Sequence, residues 1–211
     1  MTQIFHVHSE NPQKRLIQQA VNILRDGGVI VYPTDAAYAF GCTVGNKSAL
    51  ERIVQIRQLG SKHNFTIACH NLSELATYAR VDNQVFRLLK NNTPGPYTFI
   101  LAATAEVPRR LMHPKRKTVG LRIPDNKIAL ALLEALGEPL MTTTLIMPNE
   151  SEPLVDPEEI LELLSRRIEL VIDGGWGETS TTTVVDLVDS IPVLVREGKG
   201  SLEKVGLEPF R

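Results

Sequence analysis

Short apolar runs alternate with amphipathic stretches along almost the whole of this 211-residue chain. No other feature constrains the fold as strongly. Strand-type and helix-type segments that interleave from end to end bury their apolar faces only as helices laid on a sheet. Strands are predicted over 29–32, 65–69, 97–103, 118–123, 140–142, 170–173, 184–187 and 193–196. A helix is predicted from Asn11-Pro12, read as cap and first helical residue, with Leu16, Ile17, Ala20, Val21 and Leu24 on one face. Ser48 and Glu51 have capping-box spacing ahead of Leu50, Ile53 and Val54. Asp82 heads a helix with Val85, Phe86 and Leu89 inward. Asp125 heads one closed by Gly137, and Asp156-Pro157 opens another. The last two strands have only a turn at Asp189-Ser190 between them, so the sheet is mixed. The expectation is a single α/β domain over 1–211, a twisted open mixed sheet with helices on its faces.

Composition narrows the function classes. A formal net charge of -1 gives no global field toward nucleic acid or membrane. No apolar run approaches the roughly 20 residues of a membrane span. His6, His8, Ser9 and Glu10 interrupt any signal-peptide pattern, and the two cysteines, Cys42 and Cys69, form no metal or redox motif. A reduced, cytoplasmic protein is expected. His6 and His8 share one side of a strand pattern but have no third ligand nearby in sequence, so no metal is expected. No P-loop, dinucleotide fingerprint or hydrolase nucleophile motif occurs.

Local features carry more. Between Val107 and Pro124 stand Arg109, Arg110, Lys115, Arg116, Lys117 and Arg122, with no acid. Such a segment attracts polyanions, or is a solvated loop with incidental charge. It lacks interleaved aromatics, so recognition would rest on phosphate or shape. Tyr32-Pro33-Thr34-Asp35 reads as a strand running into a turn, with Asp35 as a turn cap. Hydroxyls cluster at Thr142-Thr143-Thr144 and Thr179–Thr183, the latter after Gly174-Gly175-Trp176-Gly177. Glycine turns beside hydroxyls can cradle an anion through backbone amides.

Five segments in order resemble one family. Tyr32 to Cys42 is similar to the "PTDTxYGLG" segment of the YrdC/Sua5 family, and Pro94 to Leu101 to its "PGPxTxIL" segment. Val119-Gly120-Leu121-Arg122-Ile123-Pro124, Thr182-Thr183-Val184-Val185-Asp186 and Val195-Arg196-Glu197-Gly198 resemble "VxxRxP", "STVVD" and "xREG". The run Ile56 to Thr66, with "IRQL" and "HNFT", resembles the YciO branch. The resemblance implies a YrdC-like sheet with a basic concave cavity, and threonylcarbamoyl-AMP synthesis from ATP (with Mg2+), bicarbonate and threonine in the tRNA N6-threonylcarbamoyladenosine pathway. It also implies double-stranded RNA binding. Thr34, Thr118, Arg122, Thr182 and Arg196 stand at matched positions, with Arg57 and Thr144 altered but polar. The synthase "KxR" pair is replaced by Arg57 and Leu59, and "SxN" by Thr144 and Ile146. Ala36 replaces a threonine, and Ala39-Phe40 interrupts "YGLG". Arginine for lysine changes donor geometry, and leucine for arginine removes a clamp.

Three readings follow. One is a binding protein that engages RNA (double-stranded or tRNA) and/or a nucleotide or small anion through its basic cavity, with the synthase set degraded. Another is a synthase of weak or altered activity. The third is a protein-contacting basic loop. Arg122 and Arg196 could alternatively pair with carboxylates such as Asp186.

Overall fold

The strands of this protein join in one ten-stranded mixed sheet in the computed structural model, which describes residues 1–60 and 63–209. They are Gln3–His6 (β1), Ile30–Tyr32 (β2), Ala39–Thr43 (β3), Thr66–Ala68 (β4), Tyr97–Ala102 (β5), Thr118–Arg122 (β6), Leu140–Thr144 (β7), Leu170–Asp173 (β8), Thr183–Asp186 (β9) and Val193–Arg196 (β10). Their order is β1-β8-β2-β3-β7-β4-β6-β5-β9-β10. Parallel pairs (β1 with β8, β2 with β8, β4 with β6, β5 with β9) mix with antiparallel ones, as the closing pair of strands predicts. Helices Lys14–Arg25 (α1), Lys47–Arg57 (α2), Leu72–Tyr78 (α3), Asn83–Asn92 (α4), Lys127–Leu136 (α5) and Pro157–Leu163 (α6) lie on its two faces. The predicted α/β architecture is the observed one.

Helix coverage is unequal between the faces, and that inequality makes room for a site. On one face α2, α3, α4 and α6 bury Ile53, Leu75, Leu89 and Ile160 against Phe40, Ile67, Phe99 and Leu121. Each such side chain contributes about 1.5–3 kcal/mol by leaving water. On the other face α1 and α5 pack on Ile30, Tyr32, Leu140 and Leu170, toward the β8–β2–β3–β7 side. Register shows what the rest of that face carries. Thr142 stands opposite Gly41 and Thr66, Thr66 opposite Gly120, and Gly120 opposite Ile100. Side chains alternate across a strand, so Thr98, Thr118, Arg122 and Thr144 point the same way. That face is polar because no helix covers it.

Several local readings shift. The first helix begins at Lys14, with Gln13 as its uncapped N-cap. Asn11-Pro12 lies in a preceding turn, where the His8 Nδ1 accepts from the amides of Glu10 and Asn11, and the Gln13 side chain accepts from the His8 amide. Asn46, not Ser48, caps α2, accepting from the Ala49 amide at 2.9 Å. Asn126, not Asp125, caps α5 by the same contact to Ala129. Phe86 faces out, 42% exposed. The sequence reading omitted α3 and β3. Positions 61 and 62, inside the Ile56–Thr66 run, lie outside the described residues.

Candidate functional site

The uncovered part of the sheet forms the floor of a cavity of about 570 Å³. Arg57, Arg116, Arg122 and Arg196 line it, with threonines at 66, 98, 118, 142, 143, 144, 181 and 182. No Asp or Glu is among the described residues of the lining. Gly120 keeps the floor open between Thr66 and Thr98, since a Cβ there would meet Thr66 Oγ1 at 3.1 Å and Thr98 Cγ2 at 3.3 Å.

Each arginine is held differently. Arg122, at the end of β6, donates from Nη2 to Asp35 Oδ1. Their side chains are only 8% and 7% exposed, and Arg122 Nε and Asp35 Oδ2 have no protein partner. Asp35 is therefore the buried counter-ion of Arg122, and the turn-cap reading is corrected. Arg116 pairs with Asp186 at 2.6 Å. This corrects the expectation that Asp186 serves Arg122 or Arg196. Arg196, at the mouth on β10, donates to Thr182 O at 2.9 Å and to Thr182 Oγ1 at 3.3 Å. The chain after Arg196 approaches that strand closely: a Cβ on Gly198 would lie 2.4 Å from Thr181 O. Arg57, in the last turn of α2, donates to Ile146 O at 2.8 Å and to Thr143 Oγ1 at 2.7 Å. Burial lowers its pKa below the usual guanidinium range. Neither Arg57 nor Arg196 has a carboxylate partner among the described residues.

Two histidines complete the lining. His63 Nε2 lies 3.1 Å from Thr143 Oγ1. That oxygen also accepts from Arg57 Nη1 at 2.7 Å, so His63 and Arg57 meet on one hydroxyl. Burial, then the charge of Arg57, push the His63 pKa down to about 4. His113 Nδ1 accepts from the amides of Lys115 and Arg116 and fixes the loop that brings Arg116 to the cavity. Neither histidine was flagged by sequence, because a lone histidine beside a strand has no spacing signature. The His63 shift has a testable sign. Between the ordinary value of 6.5 and about 4, the unfolded chain takes a proton that the folded chain refuses. Stability is fully present above that window and falls as pH drops through it. Urea midpoints measured across the window should decline less steeply in His63→Gln. An equal decline in both proteins contradicts the assignment.

Of the residues singled out by sequence, Arg57, Thr118, Arg122, Thr144, Thr182 and Arg196 come together in this cavity. Thr34 does not line it: its hydroxyl donates to Ala37 O at 2.7 Å and accepts from the Ala36 amide at 3.0 Å, closing a turn. Of the loop's basic residues Arg109, Arg110, Lys115, Arg116 and Lys117, only Arg116 reaches the lining. Arg109, Arg110, Lys115 and Lys117 are exposed outside it, while Val107 and Leu111 anchor the loop in the core. The glycine turn is no anion cradle. Its three glycine amides, of Gly174, Gly175 and Gly177, are engaged by Tyr38 Oη, Asp173 Oδ1 and Val155 O. Among the described residues no cluster of His, Cys, Asp and Glu can hold a metal ion, and no helix is long and apolar enough to cross a membrane.

Known proteins resemble this chain at several levels of similarity. The Sua5/YciO/YrdC family model, described as telomere recombination, matches residues 22–198. The YciO protein of Escherichia coli K12, itself uncharacterized, is 58% identical over 203 residues, covering 96% of this chain and 98% of that one. The crystal structure of E. coli YciO superposes with a TM-score of 0.93 over 97% of this chain and 100% of that one, at 57% identity. Sua5 of Pyrococcus abyssi, solved in complex with L-threonine, gives a TM-score of 0.88 at 28% identity, covering 97% of this chain but 60% of the other. A threonylcarbamoyl-AMP synthase of the same organism is likewise 28% identical over 207 residues. With the family model spanning most of the sheet and every arginine of the cavity, the chain belongs to the Sua5/YciO/YrdC family.

Proposed function

We propose that this protein binds a nucleotide, or a small anion of similar chemistry, in the arginine-lined cavity, with a synthase residue set altered at Arg57, Leu59, Thr144 and Ile146. One observation carries the reading: four arginines converge on a pocket whose lining holds no carboxylate. Its volume, about 570 Å³, lies within the range of small-molecule sites, roughly 300–1,000 Å³. Arg57 and Arg196 await an anion to compensate them, and the threonine hydroxyls supply neutral donors around it. The relationship to a threonylcarbamoyl-AMP synthase, and to a Sua5 solved with L-threonine, favours an adenylate-type ligand and a link to tRNA modification. Buried free Cys42 and Cys69 accord with a reducing, cytoplasmic setting.

Thermal shift with AMP, ATP and L-threonine tests this reading. A ligand at a hundred times its Kd stabilises the folded state by about 2.7 kcal/mol. A melting temperature unmoved by every nucleotide overturns it. Incubation with ATP, bicarbonate and threonine separates binding from residual synthase activity, which would release pyrophosphate.

A second reading has its own observation. Arg109, Arg110, Lys115, Arg116 and Lys117 are all exposed on one anchored loop. Such a cluster contacts phosphates, and RNA is the partner of matching charge. Binding to structured RNA should weaken steeply with salt and vanish when these five residues are neutralised. Binding that persists in the neutralised loop contradicts this second reading.

A further inference from the structure

We infer that the cavity selects a ligand carrying a single phosphate, of which AMP is the simplest, over a nucleoside triphosphate. The inference rests on the nucleotide-binding reading above and specifies it.

Charge decides first. Of the four arginines, Arg122 is neutralised by Asp35 and Arg116 by Asp186. Among the described residues, Arg57 and Arg196 remain as the uncompensated cations of the lining. A phosphomonoester carries about -1.5 to -2 at neutral pH, which matches two cations. Each further phosphate brings negative charge that no described residue of the lining balances.

Donor geometry points the same way. Arg57 holds Ile146 O with Nε and Thr143 Oγ1 with Nη1, so one terminal nitrogen of its fork is left for a ligand. The wall around it is apolar or neutral. Ile146 and Phe65 line the cavity there, and burial, then the charge of Arg57, disfavour a proton on the His63 ring. Leu59, two residues beyond Arg57, packs against the core and is absent from the lining. A polyphosphate tail laid along this wall would lose water and gain no donor, which is costly for a charged group. Mg2+ would not relieve the mismatch. It binds nucleotide sites through one or two protein carboxylates together with the phosphates. The lining offers no carboxylate, and Asp35 and Asp186 are already engaged by arginines.

Isothermal titration of the full chain with AMP, ATP and ATP plus Mg2+ tests this directly. AMP should bind at least tenfold more tightly than ATP, with or without the metal. ATP binding as tightly as AMP overturns the inference and leaves the nucleotide-binding reading standing. Failure of both nucleotides to bind overturns the two together. Ile146→Lys places a cation on the apolar wall and should reduce the AMP preference at least threefold by strengthening ATP binding. A variant that folds but keeps the original ratio counts against the charge argument and overturns the inference.

Discussion

Asp35→Ala is expected to destabilise the protein by about 3–5 kcal/mol, because it strands the Arg122 guanidinium in the interior. Both side chains are less than a tenth exposed, and Arg122 Nε already lacks a partner. Removing the carboxylate leaves a buried cation with no counter-ion. The substitution is a clean probe, since the other contact at Asp35, from Lys199 Nζ at 2.7 Å, goes to its backbone carbonyl and survives. Equilibrium urea unfolding measures the loss. The double variant Asp35→Ala with Arg122→Met should recover much of it, because removing both charges also removes their desolvation penalty. A single-variant loss below about 1 kcal/mol is the behaviour of a solvated pair and contradicts the burial of this one.

The same pair shows where sequence reasoning stops. Asp35 follows Tyr32-Pro33-Thr34, and locally a carboxylate there is a turn cap. Its partner lies 87 residues on, at the end of β6. No spacing rule joins them; only the order β7-β4-β6 at the sheet centre, with β3 outside β7, does so. The α/β architecture was legible because strands and helices leave distinct periodicities. Most of β5, β6, β8 and β10 fell where the apolar runs place them. β3 escaped because it is buried on nearly every residue, so Ala39-Phe40-Gly41-Cys42-Thr43 shows no alternation. Caps shifted by one or two positions where two polar residues compete, as Asn126 does with Asp125. Six of the seven candidates line the cavity, brought there by β6 (Thr118, Arg122), the end of β7 (Thr144), the residue before β9 (Thr182), the end of α2 (Arg57) and the end of β10 (Arg196). His63 was invisible, since its role depends on Thr143 and Arg57, from β7 and α2.

Arg57→Gln and Arg196→Gln should each weaken AMP binding while leaving the fold intact, and the sizes should differ. A hydrogen bond to a charged group is worth about 1.5–3 kcal/mol, or roughly tenfold to more than a hundredfold in Kd. Arg57 is half-buried beside Thr143, so its loss falls toward the upper end. Arg196 is the more exposed of the two, although burial of its head also lowers its pKa, and its loss should be nearer tenfold. Neither holds a carboxylate, so neither variant strands a buried charge, and unfolding midpoints should change far less than in Asp35→Ala. Arg109→Gln is the matched control: equal charge is removed from outside the cavity lining. If AMP affinity falls as far in that control as in Arg57→Gln, the ligand is held by the general field of the basic loop. If it holds steady there and collapses in Arg57→Gln, the phosphate lies at Arg57, a cavity cation that no carboxylate among the described residues neutralises.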